Sequence, residues 1–326
     1  MNIGCLVSDE ISRSNGLASR GHISTPTAAT TEARRAFDRL LGDLRPQLHR
    51  YCARMTGSVV DGEDVLQEAL VKAIDAFTPA EPMVNPEGWL FRVAHNTALD
   101  FLRRRARQDA LRSDEDPEMI IDPVATTDNR AIAAASLRTF MRLPVAQRSS
   151  VILMDVLGYA LEEISTFTDT SIPAIKAALH RGRARLRELA QEPEDIPPPV
   201  LAAPERARLA AYVERFNARD FDALRKMLTD EVRLELVNKV RLNGRSEVGN
   251  YFHNYDGIHD WQLVPGLVDR RPAVLVRAPD DPTAKPAYFI LLAWAGDRIS
   301  GIRDFRFARY VTDGAEILVA PEPPPA

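Results

Sequence analysis

Cysteine is nearly absent from this chain of 326 residues: its two thiols, Cys5 and Cys52, stand far apart and lack the paired spacing of a metal site. That excludes a disulfide framework and a cysteine-bound zinc, and it suits a reduced cytoplasm. Long apolar runs are missing too. No stretch approaches the roughly 18 residues that span a bilayer, and Ile3 to Val7 is too short for a secretion-signal core, so neither a membrane segment nor export is expected. The chain has no Ser-His-Asp order, zinc-ligand spacing, phosphate-binding loop or dinucleotide glycine pattern, so no catalytic centre, metal or cofactor is expected.

What is present suffices for two or three domains with ordinary cores, since 45% of the residues are hydrophobic. The formal net charge of −4 hides an uneven distribution. Arginines crowd around Arg103 and again from Arg181 to Arg187, while acids fill the segment between. Composition divides the chain further. Residues 1–31 are rich in Ser, Thr, Gly and Ala without periodicity and read as a disordered leader. Residues 32–107 are helical, 108–129 form an acidic linker, 130–192 are helical again, and 193–203 are a proline-rich spacer. Residues 204–314 turn to an α+β pattern, and 315–326 form a proline-rich tail.

In the first helical block Asp61 is placed to cap a helix, with Glu63 and Asp64 in its first turn. Pro79, Pro82 and Pro86 make the next stretch a loop. The helix that follows, PEGWLFRVAHNTALDFLRRRAR from Pro86, buries Leu90, Val93, Ala94, Thr97, Phe101 and Leu102 on one stripe and turns Arg92, Asn96 and Arg103 outward. Arg103, Arg104, Arg105 and Arg107 crowd its C-terminal end, where cations suit the macrodipole and are free to meet phosphates. In the second block, Leu161, Ile164 and Phe167 mark a short helix, Thr168 to Thr170 a turn, and Ser171 the cap of a longer helix that tolerates Pro173. This is a helix-turn-helix. Lys176, His180, Arg183 and Arg187 share the outer face of its second helix, as a groove-facing helix requires. Ala174 and Ala177 can touch a thymine methyl but form no hydrogen bond, so base reading should be sparse and phosphate contacts dominant.

Two stretches carry a resemblance. Asp61-Gly-Glu-Asp64 leading into Val65-Leu66-Gln67-Glu68-Ala69, with Gly88 to Arg104, resembles region 2 of the bacterial extracytoplasmic-function sigma factors, and Leu143 to Glu188 resembles their region 4. The resemblance implies that Asp61, Asp64, Gln67 and Glu68 grip the basic coiled-coil of the clamp of core RNA polymerase. It also implies that the loop after Phe77 helps hold a base flipped from the promoter −10 element. Trp89 and Asn96 would then offer stacking and amide contacts, while Arg92, Arg103, Arg104 and Arg105 take displaced phosphates. At the −35 element the implied contacts are Ser171, Ala174, Lys176, Ala177, His180, Arg181, Arg183 and Arg187. The acidic linker would thread the RNA-exit path.

The C-terminal part carries a third resemblance. Its motif order, Phe216 to Phe221, Leu228 to Val232, Gly244-Arg245-Ser246 and Asp297-Arg298-Ile299, is similar to the SnoaL-like cone, a fold that encloses a pocket. Asp230, Glu235, His253, Tyr255, His259 and Asp304 are candidate pocket groups, and a small-molecule ligand there is a further partner to test. The expectation is therefore a multidomain protein: two all-α sigma domains and an α+β SnoaL-like cone that regulates them, acting with core RNA polymerase and promoter DNA and not as an enzyme. Two alternatives stand beside it. One is a helix-turn-helix regulator with a ligand-binding domain, the other an isomerase fused to DNA-binding helices.

Overall fold

The computed structural model describes residues 28–79, 83–110, 135–192, 199–255, 261–279, 281 and 284–320. Most of the leader, the acidic linker, the proline-rich spacer and His259 lie outside the described residues. Among the described residues no helix is long and apolar enough to cross a membrane.

Three helices build the first unit: α1 (Ala28–Thr56), α2 (Val59–Ala76) and α3 (Pro86–Ala110). Helix α1 starts within the expected leader, and α3 runs three residues into the expected linker. Phe37, Leu44, Leu48 and Tyr51 of α1 meet Leu66, Ala69 and Ala73 of α2 and Leu90, Phe91 and Ala94 of α3 in one buried cluster. Gly62 allows α1 and α2 to approach closely, because a Cβ there would lie 2.5 Å from the backbone of Ala53. Helix α2 begins two residues before Asp61. Its cap is therefore Ser58, whose hydroxyl accepts from the Asp61 amide, and Asp61 sits inside the first turn.

The second unit holds α4 (Leu137–Met141), α5 (Val145–Val151), a π-helical turn (Ile152–Val156), α6 (Leu161–Thr168) and α7 (Ile172–Gln191). Helix α4 lies within the block 130–192 expected to be helical, and residues 130–134 lie outside the described ones. Asp169 takes the left-handed conformation (φ 52°) that ends α6, a role usually filled by glycine. Ser171 occupies the cap position of α7, but its hydroxyl makes no capping bond, contrary to expectation.

Two joints pack this unit on the first. Arg148, 5% exposed, donates to the carbonyls of Met55 (2.6 Å) and Leu143 (2.9 Å), satisfying an orphan carbonyl at the end of α1. Burial pushes its pKa down to about 10. Phe91 stacks on Phe167 at 5.2 Å and meets Tyr159 edge-on, and the Tyr159 hydroxyl donates to Glu87 at 2.6 Å.

The C-terminal unit contains α8 (Ala203–Asn217), α9 (Phe221–Met227), β1 (Leu228–Leu236), β2 (Val240–Asn243), α10 (Gly244–Tyr251), β3 (Gln262–Val268), β4 (Arg271–Arg277), β5 (Tyr288–Ala295), β6 (Arg298–Asp304) and β7 (Ile317–Val319). Among the described residues seven strands form one sheet in the order β2-β1-β6-β5-β4-β3-β7, with only β1 and β6 parallel. Gly296 and Asp297 form the turn between β5 and β6, Gly296 at φ 62°. Two expectations fail at the edges. Leu201, within the expected spacer, is buried in the domain core, and Ile317–Val319, within the expected tail, pairs with β3.

The sheet has two apolar faces. One packs on α8, α9 and α10 through Leu234, Ile290, Ile302 and a filling of Tyr212, Phe216, Phe252, Tyr255 and Trp261. The other, through Val268, Leu275, Phe289, Phe305 and Val311, shares a buried cluster with Ala53, Val59 and Val60 of the first unit. A sheet covered on both sides reads as apolar runs, and β4 is buried over four consecutive residues, Ala273 to Val276.

Candidate nucleic-acid and partner interface

The acid and amide groups of α2 follow from its register, because Asp64, Gln67 and Glu68 fall on one face three and four residues apart. Their partners lie elsewhere. Asp61, 8% exposed, accepts from Arg271 of β4 at 2.7 Å and faces Arg105 of α3 at 3.4 Å. Asp64 pairs with Arg303 of β6 at 2.7 Å, and Arg303 also holds Glu235 at 2.8 Å. Burial raises the pKa of Asp64 despite that cation. Gln67 receives Arg241 of β2 at 3.4 Å. Among the described residues Glu68 alone of the four has no C-terminal partner, and it binds Lys72 and Arg104, each at 2.8 Å.

Beneath this row lies a buried knot. Glu63, fully buried, accepts from Arg45 at 2.7 Å and from the Tyr310 hydroxyl at 3.0 Å, and Arg45 also donates to that hydroxyl at 2.6 Å. The β3–β4 hairpin completes the contact from the other end. Asp269 and Arg270 both take positive φ (47° and 65°), as the two central residues of a type I′ turn must. Asn-Gly normally fills such a turn. Here Asp269 accepts from the Val59 amide at 2.6 Å and the Glu316 amide at 3.1 Å, placing a carboxylate on the N-terminus of α2.

The other surface residues are arranged differently. Arg92, Asn96, Arg103, Arg104 and Arg105 are exposed along α3. Trp89 is half-buried, 6.2 Å from the ring of Phe37, and lines a cavity of about 330 Å³ with Phe77, Met83, Val84 and Asn85. Asn85 accepts from the Gly88 amide at 2.9 Å and so fixes the start of α3 beside that cavity. On α7, Ser171, Ala174, Lys176, His180 and Arg181 are exposed, while Ala177 and Arg187 are half-buried. Arg183 makes a two-pronged contact with Asp155, with one bond of 2.9 Å, and the Asp155 carboxylate has no exposure. It is an internal tie before it is a phosphate contact.

Among the described residues the candidate pocket groups do not all converge. Asp230 is exposed on a salt bridge to Arg245, Glu235 faces the first unit, the His253 side chain lies outside the described residues, and so does His259. Tyr255 and Asp304 do meet: the Tyr255 hydroxyl donates to the Asp304 carboxylate at 3.2 Å. Tyr251 joins them with bonds to both, and the Arg306 amide donates to the second carboxylate oxygen at 2.8 Å. Burial raises the pKa of Asp304 and of both tyrosines.

Sequence reasoning missed Arg241, Asp269, Arg271, Arg303 and Tyr310 as interface residues and Tyr251 as the centre of the buried cluster. Polar residues alternating on strands are expected on any half-exposed sheet, so nothing set these apart. Tyr251 could have been found, since it stands one helical turn before Tyr255.

Residues 40–108 match the family model described as sigma-70 region 2, and residues 137–186 match sigma-70 region 4. The geometry and these matches define a two-region sigma factor. The chain is 27% identical to the ECF RNA polymerase sigma factor SigG of Mycobacterium tuberculosis, over 87% of this chain and 86% of that protein. It is 32% identical to SigM of the same organism, over 48% of this chain and 78% of that one. The solved structure of M. tuberculosis SigJ covers 82% of this chain and 96% of its own at 19% identity, with a TM-score of 0.31. The chain belongs to the ECF RNA polymerase sigma factors, which direct promoter-specific transcription initiation.

Proposed function

We propose that Asp61, Asp64, Gln67 and Glu68 bind the clamp of core RNA polymerase, and that the C-terminal domain is a built-in regulator that holds this surface closed. The observation that carries the reading is the occupation of three of those four residues by Arg271, Arg303 and Arg241, cations from three different strands of one sheet. A basic clamp and this sheet would compete for the same acids. Coupling of this kind is a difference in affinity between two states, and a few kcal/mol is enough to govern it.

In the open form, Trp89, Asn96 and the loop cavity would take an unstacked base of the −10 element, with Arg92, Arg103, Arg104 and Arg105 on the phosphates. Ser171, Ala174, Lys176, Ala177, His180, Arg181 and Arg187 would dock at the −35 element, and Arg183 would join them while holding Asp155. The C-terminal domain is read as a binding and regulatory module and not an enzyme, because its buried carboxylate is already satisfied by two hydroxyls and an amide. Its interior is filled with aromatic side chains.

The test replaces the three arginines together, Arg241→Ala, Arg271→Ala and Arg303→Ala, in the full-length chain. Affinity for core polymerase and transcript yield from a target promoter should both rise. A chain ending at Gln191 should behave in the same way at matched polymerase occupancy. If both changes abolish transcription, the domain is instead a required part of the active assembly.

A further inference from the structure

A cavity of about 690 Å³ lies where all three units meet. Region 2 contributes Arg105 to its wall, region 4 contributes Arg138, and the C-terminal domain contributes Arg270 and Arg271. Three carboxylates share the lining: Asp61, Asp269 and Glu316. A fifth cation stands behind it. Arg54, 7% exposed, reaches the wall at Gly314, where a Cβ would lie 3.8 Å from one of its terminal nitrogens. Gly314 is at φ 86°, a conformation that keeps a side chain from coming between. The Arg54 Nε has no hydrogen-bond partner, and burial lowers the pKa of the group.

The carboxylates do not use up these donors. Asp269 gives its two oxygens to the amides of Val59 and Glu316. Asp61 serves two guanidiniums, Arg271 at 2.7 Å and, at 3.4 Å, Arg105, which also meets Asp109 at 3.9 Å. Glu316 reaches Arg138 only at 3.7 Å. The side chains of Arg105, Arg138 and Arg271 stay 49%, 39% and 43% exposed. Each guanidinium carries five N–H donors in a rigid fork, so most of them remain for a ligand.

We infer that this cavity binds a small molecule carrying a diphosphate group. Five arginines against three carboxylates leave an excess of positive charge that calls for a di- or polyanion. Forked donors suit phosphate oxygens, and a phosphate brings more charge and more acceptors than a carboxylate. The volume is that of a site for a ligand of many atoms and not of a single anion. Because its walls come from three units, the ligand finds all its partners only when they are packed in this arrangement. It therefore locks that arrangement, and by linkage it lowers affinity for whatever needs the units apart. The site stands on its own geometry; its effect on polymerase rests on the closed-form reading above.

The experiment titrates the full-length protein calorimetrically with pyrophosphate, tripolyphosphate, ADP, phosphate and sulfate. It compares wild type with the double variant Arg138→Gln/Arg270→Asn. Glutamine keeps helix propensity, asparagine tolerates the φ of 65° at position 270, and an unchanged thermal midpoint verifies the fold. Wild type should bind pyrophosphate at least tenfold more tightly than phosphate or sulfate, and the double variant should lose at least tenfold. Tighter binding of ADP identifies a nucleotide as the ligand, and tighter binding of tripolyphosphate an inorganic chain. No binding to wild type, equal affinity in the variant, or phosphate bound as tightly as pyrophosphate overturns the site. Core polymerase is then titrated with pyrophosphate present at ten times its Kd for wild type. Apparent polymerase affinity should fall about tenfold in wild type and only about twofold in the variant. Pyrophosphate that binds as expected but leaves polymerase affinity unchanged would uphold the site and refute the closed-form reading.

Discussion

Replacing Asp269 tests whether the closed arrangement is held by a helix cap supplied across the domain boundary. Its carboxylate accepts from the first amide of α2 at 2.6 Å and from Glu316 at 3.1 Å. Removing a cap acceptor costs about 1 kcal/mol, and losing a negative charge at a helix N-terminus adds about 0.5 kcal/mol. Desolvation works against this, because burial raises the pKa of the same carboxylate. The closed form should therefore lose about 1.5 kcal/mol in Asp269→Ala, a shift of roughly tenfold toward the open form. When the competent state is the minor one, apparent affinity follows its population, so polymerase should bind about tenfold more tightly. Alanine also strains a position at φ 47°, which weakens the hairpin in the same direction. Asp269→Asn tolerates that conformation and keeps one acceptor oxygen for the Val59 amide, losing the charge and the Glu316 bond, and should give a smaller gain than alanine. Equilibrium titration of labelled full-length protein with core polymerase reads both values. Unchanged affinity in both variants would show that the hairpin contact does not govern the closed state.

Two other predictions rest on buried titratable side chains in the sigma regions. Arg183→Met strands Asp155, whose side chain has no exposure, so the thermal midpoint of the region 4 transition should fall by an amount equivalent to about 2 kcal/mol, before any DNA is added. A variant that lost only DNA affinity would make Arg183 a free phosphate contact. His95, 7% exposed, has its Nδ1 2.6 Å from the Tyr51 hydroxyl, and burial pushes its pKa down to about 4. The neutral ring is the folded form, so stability is complete above pH 6.5 and drains as pH falls from 6.5 toward 4, by up to about 3 kcal/mol. The pKa of buried His49 is lowered in the same sense, so the readout is a difference. His95→Gln, which keeps an acceptor for Tyr51, should show a shallower fall in melting temperature across that window than wild type, and parallel curves would refute the assignment.

The two sigma regions were legible because their information is local. A helix needs its stripe, caps and breakers within a few residues, and Leu90, Ala94, Pro86 and the turn at Asp169 supply them. The arginine run on α3 and the exposed Lys176 and His180 follow from the same periodicity. The α+β character of the C-terminal domain was legible too, through alternating strands and the Gly296-Asp297 turn. Its edges were not. Strand β7 is three residues long and gains its bonds only from β3, so no pattern of its own announces it.

The tertiary structure decided which charged groups meet. Asp61 and Arg271 are 210 residues apart in the chain, and Glu63 and Tyr310 are 247 apart. Each reads alone as a solvated or capping residue, because a charge pattern specifies a face and never its partner. Only the packing of the second sheet face on Val59 and Val60 brings Arg241, Arg271 and Arg303 onto α2.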